Sequence, residues 1–307
     1  MTEDRIYRLL RLLFILLGKL PESAAEYAAG NIGRIWFRLD KRHREVILEN
    51  LFLSFPEKGE LERYLLAKRV FKNIARMIFE IGWLYTLPET SVKDYFDIKG
   101  VGNLEKALEK KKGAIVLTCH MGNWELLVSV AAMTGYRTNA VYRKLDFSPA
   151  DRFILETRRR FGTRMIPLRG ASRKLDSILE NGELVGTLLD QNVDWYKGVF
   201  VDFFGRPACT NNGLAVLALR TGSPVVPLYI VRENGKYKVE FLPEIPILVT
   251  GDRIKDIENN TQNFTNVIES IIRRYPDQWF WVHNRWKTKN YCHLQGFGKD
   301  KSKTAWQ

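Results

Sequence analysis

From Gly113 onward the chain alternates between two kinds of segment, and that alternation restricts it to one class of fold. Gly113-Ala-Ile-Val-Leu-Thr-Cys119 is a short apolar, partly β-branched run that stops at His120. Such a run describes a strand buried on both faces. A helix-patterned stretch follows (Asn123–Met133), then a strand at Asn139–Tyr142, a helix from Pro149 to about Phe161 and a strand at Arg164–Leu168. Ser172–Asn181 reads as a helix, Leu184–Leu189 as another buried strand and Asn211–Thr221 as a helix. Pro224–Arg232 and Lys236–Leu242 form a paired ladder around Asn234-Gly235, and residues 254–274 form the last clear helix. Strands alternating with helices predict an α/β fold with a central mixed sheet flanked by helices.

The stretch before this region is different. Residues 22–90 carry apolar side chains at helical spacing, through Ile32, Ile35, Trp36 and Leu39, then Val46, Ile47 and Leu51, with a break at Pro56. No strand-like alternation interrupts them. The expected organisation is a membrane-anchor helix at 1–21, a helical layer at 22–98 and one continuous catalytic core at 99–307.

Arg5–Leu20 reads RIYRLLRLLFILLGKL. Arg5, Arg8, Arg11 and Lys19 fall on one stripe at about 100° per residue, and the rest of the surface is apolar. This pattern fits a helix lying in a membrane interface, with cationic stems reaching the phosphates. Two other readings remain open, a helix packed into the core and a signal peptide. The acidic Glu3-Asp4 start opposes the signal peptide. No run approaches the ~18 consecutive apolar residues of a spanning helix.

The 307 residues carry 48 Lys and Arg against 35 Asp and Glu, a net charge of +13. That surplus admits three kinds of partner: nucleic acid, an anionic membrane, or an acidic protein or substrate. It is concentrated in Arg152–Lys174 and between Arg273 and Lys303, which points to directed surfaces. Cys119, Cys209 and Cys292 are too few and dispersed for a disulfide framework. The four histidines show no metal-ligand spacing, so no metal and no cofactor are expected.

In an open α/β sheet, ligands bind outside the carboxyl ends of the strands. His120 stands there, in CHMGNWE. Gly122 permits a tight turn, and Asn123 caps the helix that starts with Trp124 and Glu125. On one continuous helix His120 and Glu125 would stand about 140° apart. With a turn between them, Glu125 folds back to accept the imidazole Nδ1–H and leaves Nε2 as a base. The H-x4-E spacing alone also describes a histidine merely satisfied at a strand end. Other strand ends add polar groups: Arg143-Lys144, then Asp190-Gln191-Asn192. A loop at Phe203–Pro207 leads to Thr210, read as the cap of a helix and an anion site. Asn123, Arg143, Lys144, Gln191 and Arg206 are the expected substrate-binding residues.

FRLDKRHREVILENLFLSFPE, HMGNWE, VYRK, DQN, FFGRPACT, SPVVPLYI and PDQWFWVHNRWK occur in that order almost end to end. Together they resemble the bacterial lipid A late acyltransferases, the lauroyl and myristoyl transferases related to glycerophosphate acyltransferases. The resemblance implies transfer of a fatty acyl chain from acyl carrier protein to a hydroxyl of a lipid A precursor. It also implies attachment to the cytoplasmic face of the inner membrane. Carried over block by block, His120 is the general base, Glu125 its partner, and Arg158 and Asp190 the other important residues. Where many relatives have a basic residue, this chain has Asn284 in His283-Asn284-Arg285.

There is no G-x-S-x-G elbow, and Cys119 points to the face opposite its neighbour, so direct attack by the acceptor hydroxyl is favoured over an acyl-enzyme. The Gly122 and Asn123 amides or an arginine are the candidate oxyanion donors. Trp279, Phe280, Trp281 and Trp286, mixed with cations, read either as a membrane rim or as core. Two further functional readings are kept. One is a lysophospholipid or glycolipid mannoside acyltransferase; the other is a nucleic-acid-binding protein using the Arg158–Lys174 patch, which lacks a recognition motif.

Overall fold

The computed structural model describes residues 2–289, so Cys292, His293 and the basic residues beyond Lys289 lie outside the described residues. Four helices come first: α1 (Glu3–Gly18), α2 (Glu22–Leu39), α3 (Lys41–Ser54) and α4 (Glu60–Thr86). A 3-10 turn at Glu89–Ser91 and the short α5 (Val92–Tyr95) follow. The long α4 is the trunk of this layer. A Cβ on Gly18 would overlap the Gly82 carbonyl, and one on Gly33 would overlap the Lys72 backbone. Glycine at these points therefore lets α1 and α2 lie directly against α4.

The α/β region runs β1 (Phe96–Lys99), α6 (Val101–Leu108), β2 (Ala114–Thr118), α7 (Val130–Thr134), β3 (Thr138–Tyr142), α8 (Ser148–Arg159), β4 (Arg164–Pro167), α9 (Ser172–Glu180) and β5 (Leu184–Leu188). It continues with β6 (Gly198–Phe203), β7 (Arg206–Asn211), α10 (Gly213–Thr221), β8 (Val225–Glu233), β9 (Lys236–Phe241) and α11 (Arg253–Arg274). Seven strands form a mixed sheet in the order β1-β9-β8-β2-β5-β3-β4, parallel throughout except for the β8–β9 hairpin. Side chains along β2 divide between two cores. Ile115, Leu117 and Cys119 face α9, α10, α11 and the N-terminal helices, whereas Ala114 and Val116 face α6 and α7. This period of two on a doubly covered strand accounts for the uninterrupted apolar run in the sequence.

Three expectations change. β1 overlaps the last three residues of the layer expected to be helical at 22–98, and it pairs with β9 at the sheet edge. β6 and β7 form a separate antiparallel hairpin, so Thr210 is a buried strand residue and does not cap a helix. The segment read as one helix over Asn123–Met133 is a 3-10 helix at Trp124–Ser129 followed by the short α7.

After α11 the chain returns across the carboxyl edge of the sheet. Trp279 bridges to Met121, and Phe280 N–H donates to the His120 carbonyl at 3.0 Å. From the N-terminal layer, Asn50 Nδ2 donates to the carbonyls of Trp281 and His283 at 2.8 and 2.9 Å. Trp279, Trp281 and Trp286 are buried among Phe55, Phe203 and Phe204, which places the three tryptophans in the core, whereas Phe280 is half-buried against His120 and Trp124. Arg285 is buried beside them, donating to the Cys209 carbonyl and to Thr210 Oγ1, and burial lowers its pKa to about 10.

Candidate active site

β2 and β5 pair in parallel with Thr118 opposite Leu188. Two residues beyond those strand ends, His120 and Asp190 are side by side. Asp190 Oδ1 accepts from His120 Nδ1 at 2.8 Å, and Oδ2 accepts from the His120 backbone N–H at 2.9 Å. The Trp279 indole N–H also donates to Oδ2, at 2.6 Å. Asp190 is buried, which by itself would raise its pKa. The His120 charge and these three hydrogen bonds prevail and hold it at about 2. His120 shows the converse balance. Burial lowers its pKa, but the Asp190 carboxylate outweighs that and raises it above the ordinary 6.5. With Nδ1–H committed to Asp190, the neutral ring carries its lone pair on Nε2, where Gln191 Nε2 approaches to 3.2 Å.

The H-x4-E spacing predicts that the Nδ1 hydrogen bond goes to Glu125. It goes to Asp190 instead, because sheet register brings residues 70 apart in sequence closer than a turn brings residues five apart. Glu125 faces Arg158 on α8. Arg158 Nε and NH2 donate to the two carboxylate oxygens at 2.8 and 2.7 Å, the parallel fork that suits guanidinium and carboxylate. The Trp124 indole N–H donates to the same carboxylate at 3.1 Å, and the Trp124 ring meets His120 edge-on at 4.7 Å. Burial lowers the Arg158 pKa, but the Glu125 hydrogen bonds more than offset this and raise it.

The turn between His120 and Glu125 requires Gly122. Its φ is +56°, and a Cβ there would overlap the Ile230 carbonyl of β8. Its N–H, an expected oxyanion donor, donates to the Gln278 carbonyl at 2.8 Å. Asn123 is buried beneath the turn; its Oδ1 accepts from the Glu125 N–H at 3.2 Å and its Nδ2 donates to Glu80 at 3.0 Å.

A cleft of about 790 Å³ opens at the carboxyl ends of β3 and β5; His120 and Asp190 are not in its wall, and Gln191, which touches His120 Nε2, connects them to it. Val141, Leu168, Leu188 and Leu189 give it apolar wall, and Arg143, Gln191, Lys197 and Lys287 give it polar rim. Lys144 follows Arg143 and is exposed. Arg206 is not brought here. It lies at the turn end of the β6–β7 hairpin, whereas Asn211 at the other end lines the cleft, a separation of about 17 Å at strand rise. Sequence reasoning missed Trp279 as an Asp190 partner, Glu80, and His283. His283 lines the cleft and accepts the Asn192 N–H at Nε2 at 2.7 Å. Burial lowers its pKa to about 4, which keeps the ring neutral.

A family model described as bacterial lipid A biosynthesis acyltransferase matches residues 5–288. The chain belongs to this family. It is therefore an acyltransferase, and both charged pairs lie inside the matched region. Among family relatives, the lipid A biosynthesis palmitoleoyltransferase of Escherichia coli (strain K12) is 27% identical over 275 residues, 88% of this chain and 87% of that protein. The lipid A biosynthesis lauroyltransferase of the same organism is 25% identical over 277 residues, 89% of each. The phosphatidylinositol mannoside acyltransferase of Mycobacterium tuberculosis (strain ATCC 25618 / H37Rv) is 27% identical over 194 residues, 62% of this chain and 59% of that one.

Proposed function

We propose that this acyltransferase moves a fatty acyl chain from an acyl carrier protein thioester to a hydroxyl of a lipid A precursor, using His120 as general base. The observation that carries the proposal is the His120–Asp190 pair: a buried carboxylate fixes Nδ1–H and leaves the Nε2 lone pair against Gln191, which lines the cleft. Family membership supports the acyl group and the lipid A acceptor.

In the proposed reaction the acceptor hydroxyl displaces the Gln191 amide from Nε2. His120 takes the hydroxyl proton as the oxygen attacks the thioester carbonyl. Asp190 stabilises the imidazolium without accepting its proton. The tetrahedral oxyanion collapses, the carbon–sulfur bond breaks, and the imidazolium returns its proton to the carrier's thiolate. Arg158 commits Nε and NH2 to Glu125, and its remaining nitrogen serves the oxyanion. Arg143 and Lys287 on the rim meet acceptor phosphates.

The proposal places the enzyme on the cytoplasmic face of the inner membrane. Leu9, Leu12, Leu13 and Leu16 lie exposed along one side of α1, opposite the Tyr7, Phe14 and Gly18 side that packs inward, and Leu20 is exposed just beyond its end. No helix among the described residues is long and apolar enough to cross a membrane. Inserting the roughly half-exposed leucines is worth ~1 kcal/mol each, so α1 lies in the interface.

The test is product mass spectrometry with purified protein in anionic vesicles, supplied with acyl carrier protein thioesters or coenzyme A thioesters and a panel of acceptors. Transfer to the lipid A precursor from the carrier protein is expected. Transfer only to a mannoside glycolipid would favour the second reading, which the mycobacterial relative motivates. Full turnover by His120→Ala would remove the base from the scheme.

A further inference from the structure

Below the catalytic turn, α4 places a carboxylate where a packed apolar side chain would ordinarily serve. Glu80 is 4% exposed. Its Oε1 accepts from Arg76 Nε at 3.1 Å and pairs with Arg232, and its Oε2 accepts from Asn123 Nδ2 at 3.0 Å. Arg76 also pairs with Glu22 and Glu26 of α2. Replacing a buried ion pair by well-packed apolar groups is often neutral or stabilising, so stability alone does not explain this cluster.

Its geometry explains it better. A carboxylate only accepts hydrogen bonds, so Glu80, at 3.0 Å, draws the Asn123 Nδ2 toward α4, where the Met77 carbonyl accepts from it more distantly at 3.5 Å. Oδ1 then faces the Glu125 N–H and accepts from it, which starts the 3-10 helix carrying Trp124 and Glu125. A second arm reaches the same turn. The Arg232 backbone exchanges two hydrogen bonds with the Gln278 side chain at 2.8 and 2.9 Å, and the Gln278 carbonyl accepts the Gly122 N–H.

We propose that Glu80 is a positioning residue of the active site: by orienting the buried Asn123 amide, it sets where Glu125 and Arg158 stand relative to His120. This rests on the reading of His120 and Glu125 as the reacting edge. Glu80 itself touches no substrate.

The donor and acceptor logic gives a reversal test in the full-length protein on anionic vesicles. In Glu80→Gln, the amide that replaces Oε2 faces Asn123 donor to donor, and Asn123 turns its oxygen away from Glu125. In Asn123→Asp, two carboxylates face each other. In the double variant, the amide introduced on α4 donates to the carboxylate introduced beneath the turn, whose second oxygen again accepts the Glu125 N–H. Each single variant is expected to lose about 10–100-fold in kcat, with KM for both substrates within about twofold. The double variant is expected to recover to within about threefold of wild type. Singles at wild-type kcat, or a folded double variant no better than the worse single, would overturn the assignment. So would unfolding of all three variants in a thermal melt, which gives Glu80 to stability alone. His120→Ala run alongside separates the two levels. If it stays active, the reading of the edge fails; if it is inactive while the Glu80 variants are normal, only the positioning role fails.

Discussion

Asp190→Asn perturbs one atom of the proposed machinery and changes which nitrogen of His120 carries the proton. The asparagine oxygen can take the place of Oδ2 and keep the bonds from the His120 backbone and the Trp279 indole. Its NH2 then stands where Oδ1 accepted the ring proton at 2.8 Å. Facing a donor, His120 moves its proton to Nε2 and has no lone pair for the acceptor hydroxyl. General base catalysis typically contributes 10²–10⁴-fold, and a wrong tautomer removes most of it, so kcat is expected to fall ~10³-fold or more. Against burial, the His120 charge and the hydrogen bonds to Asp190 favour its ionised form in the folded protein, lowering its pKa from 3.8 to about 2. That stabilisation is present above the ordinary carboxylate value and is lost as pH falls toward 2. His120 has the opposite sign: its raised pKa adds stability below 6.5 that is lost as pH rises through the raised value. In the wild type, kcat/KM for thioester consumption should rise with pH through a midpoint above 6.5, as the base loses its proton. The assay is the pH profile of kcat/KM with carrier-bound substrate, paired with ¹⁵N chemical shifts of the imidazole to read the tautomer. An Asp190→Asn enzyme within tenfold of wild-type kcat, or one whose Nε2 stays unprotonated, would refute the reasoning.

Arg158→Lys keeps the charge but not the fork to Glu125, so a roughly tenfold or greater fall in kcat is expected; an unchanged rate would show that the two-pronged geometry is dispensable. Leu12→Glu with Leu16→Glu should lower co-sedimentation with anionic vesicles at least tenfold while leaving the melting temperature near wild type, and full retention in the pellet would discard α1 as the contact. Gly122→Ala meets both a positive φ and the Ile230 carbonyl and should destabilise the fold by ~1–3 kcal/mol, read by urea denaturation. His283 has its pKa lowered to about 4 by burial, so it contributes stability above 6.5 that is lost as pH falls toward 4. His283→Gln should flatten that acid limb of the melting curve, and an unaltered limb would exclude it as the source.

The buried strands were the most legible part of the chain, because β2 is covered on both faces and apolar from Ala114 to Leu117, and β5 begins with the buried Leu184 and Val185. β1 was not legible: Phe96-Asp-Ile-Lys99 is four residues at a sheet edge, too short to show a period. The β6–β7 hairpin was hidden by its turn, where Phe204 at φ +56° and Gly205 at +71° replace the usual Asn-Gly. At the site, sequence proximity favoured Glu125 as the partner of His120. The true neighbour depends on which strands pair, and no local pattern records that β5 lies beside β2. Trp279 was visible as an aromatic, but only the returning segment reveals that its indole meets a carboxylate.

That returning segment bears on how the enzyme comes into being. Trp279 reaches Asp190 from 89 residues downstream, and Asn50 reaches Trp281 from 231 residues upstream. A nascent chain that has emerged only as far as Asn192 already holds His120 and Asp190, yet lacks the indole and the backbone that seals Met121 and Gly122. Contacts of such long sequence separation form late because loop closure must precede them. Assembly of this edge is thus tied to synthesis past Trp281, and a polypeptide interrupted short of Trp279 would hold His120 and Asp190 without the segment that closes over them.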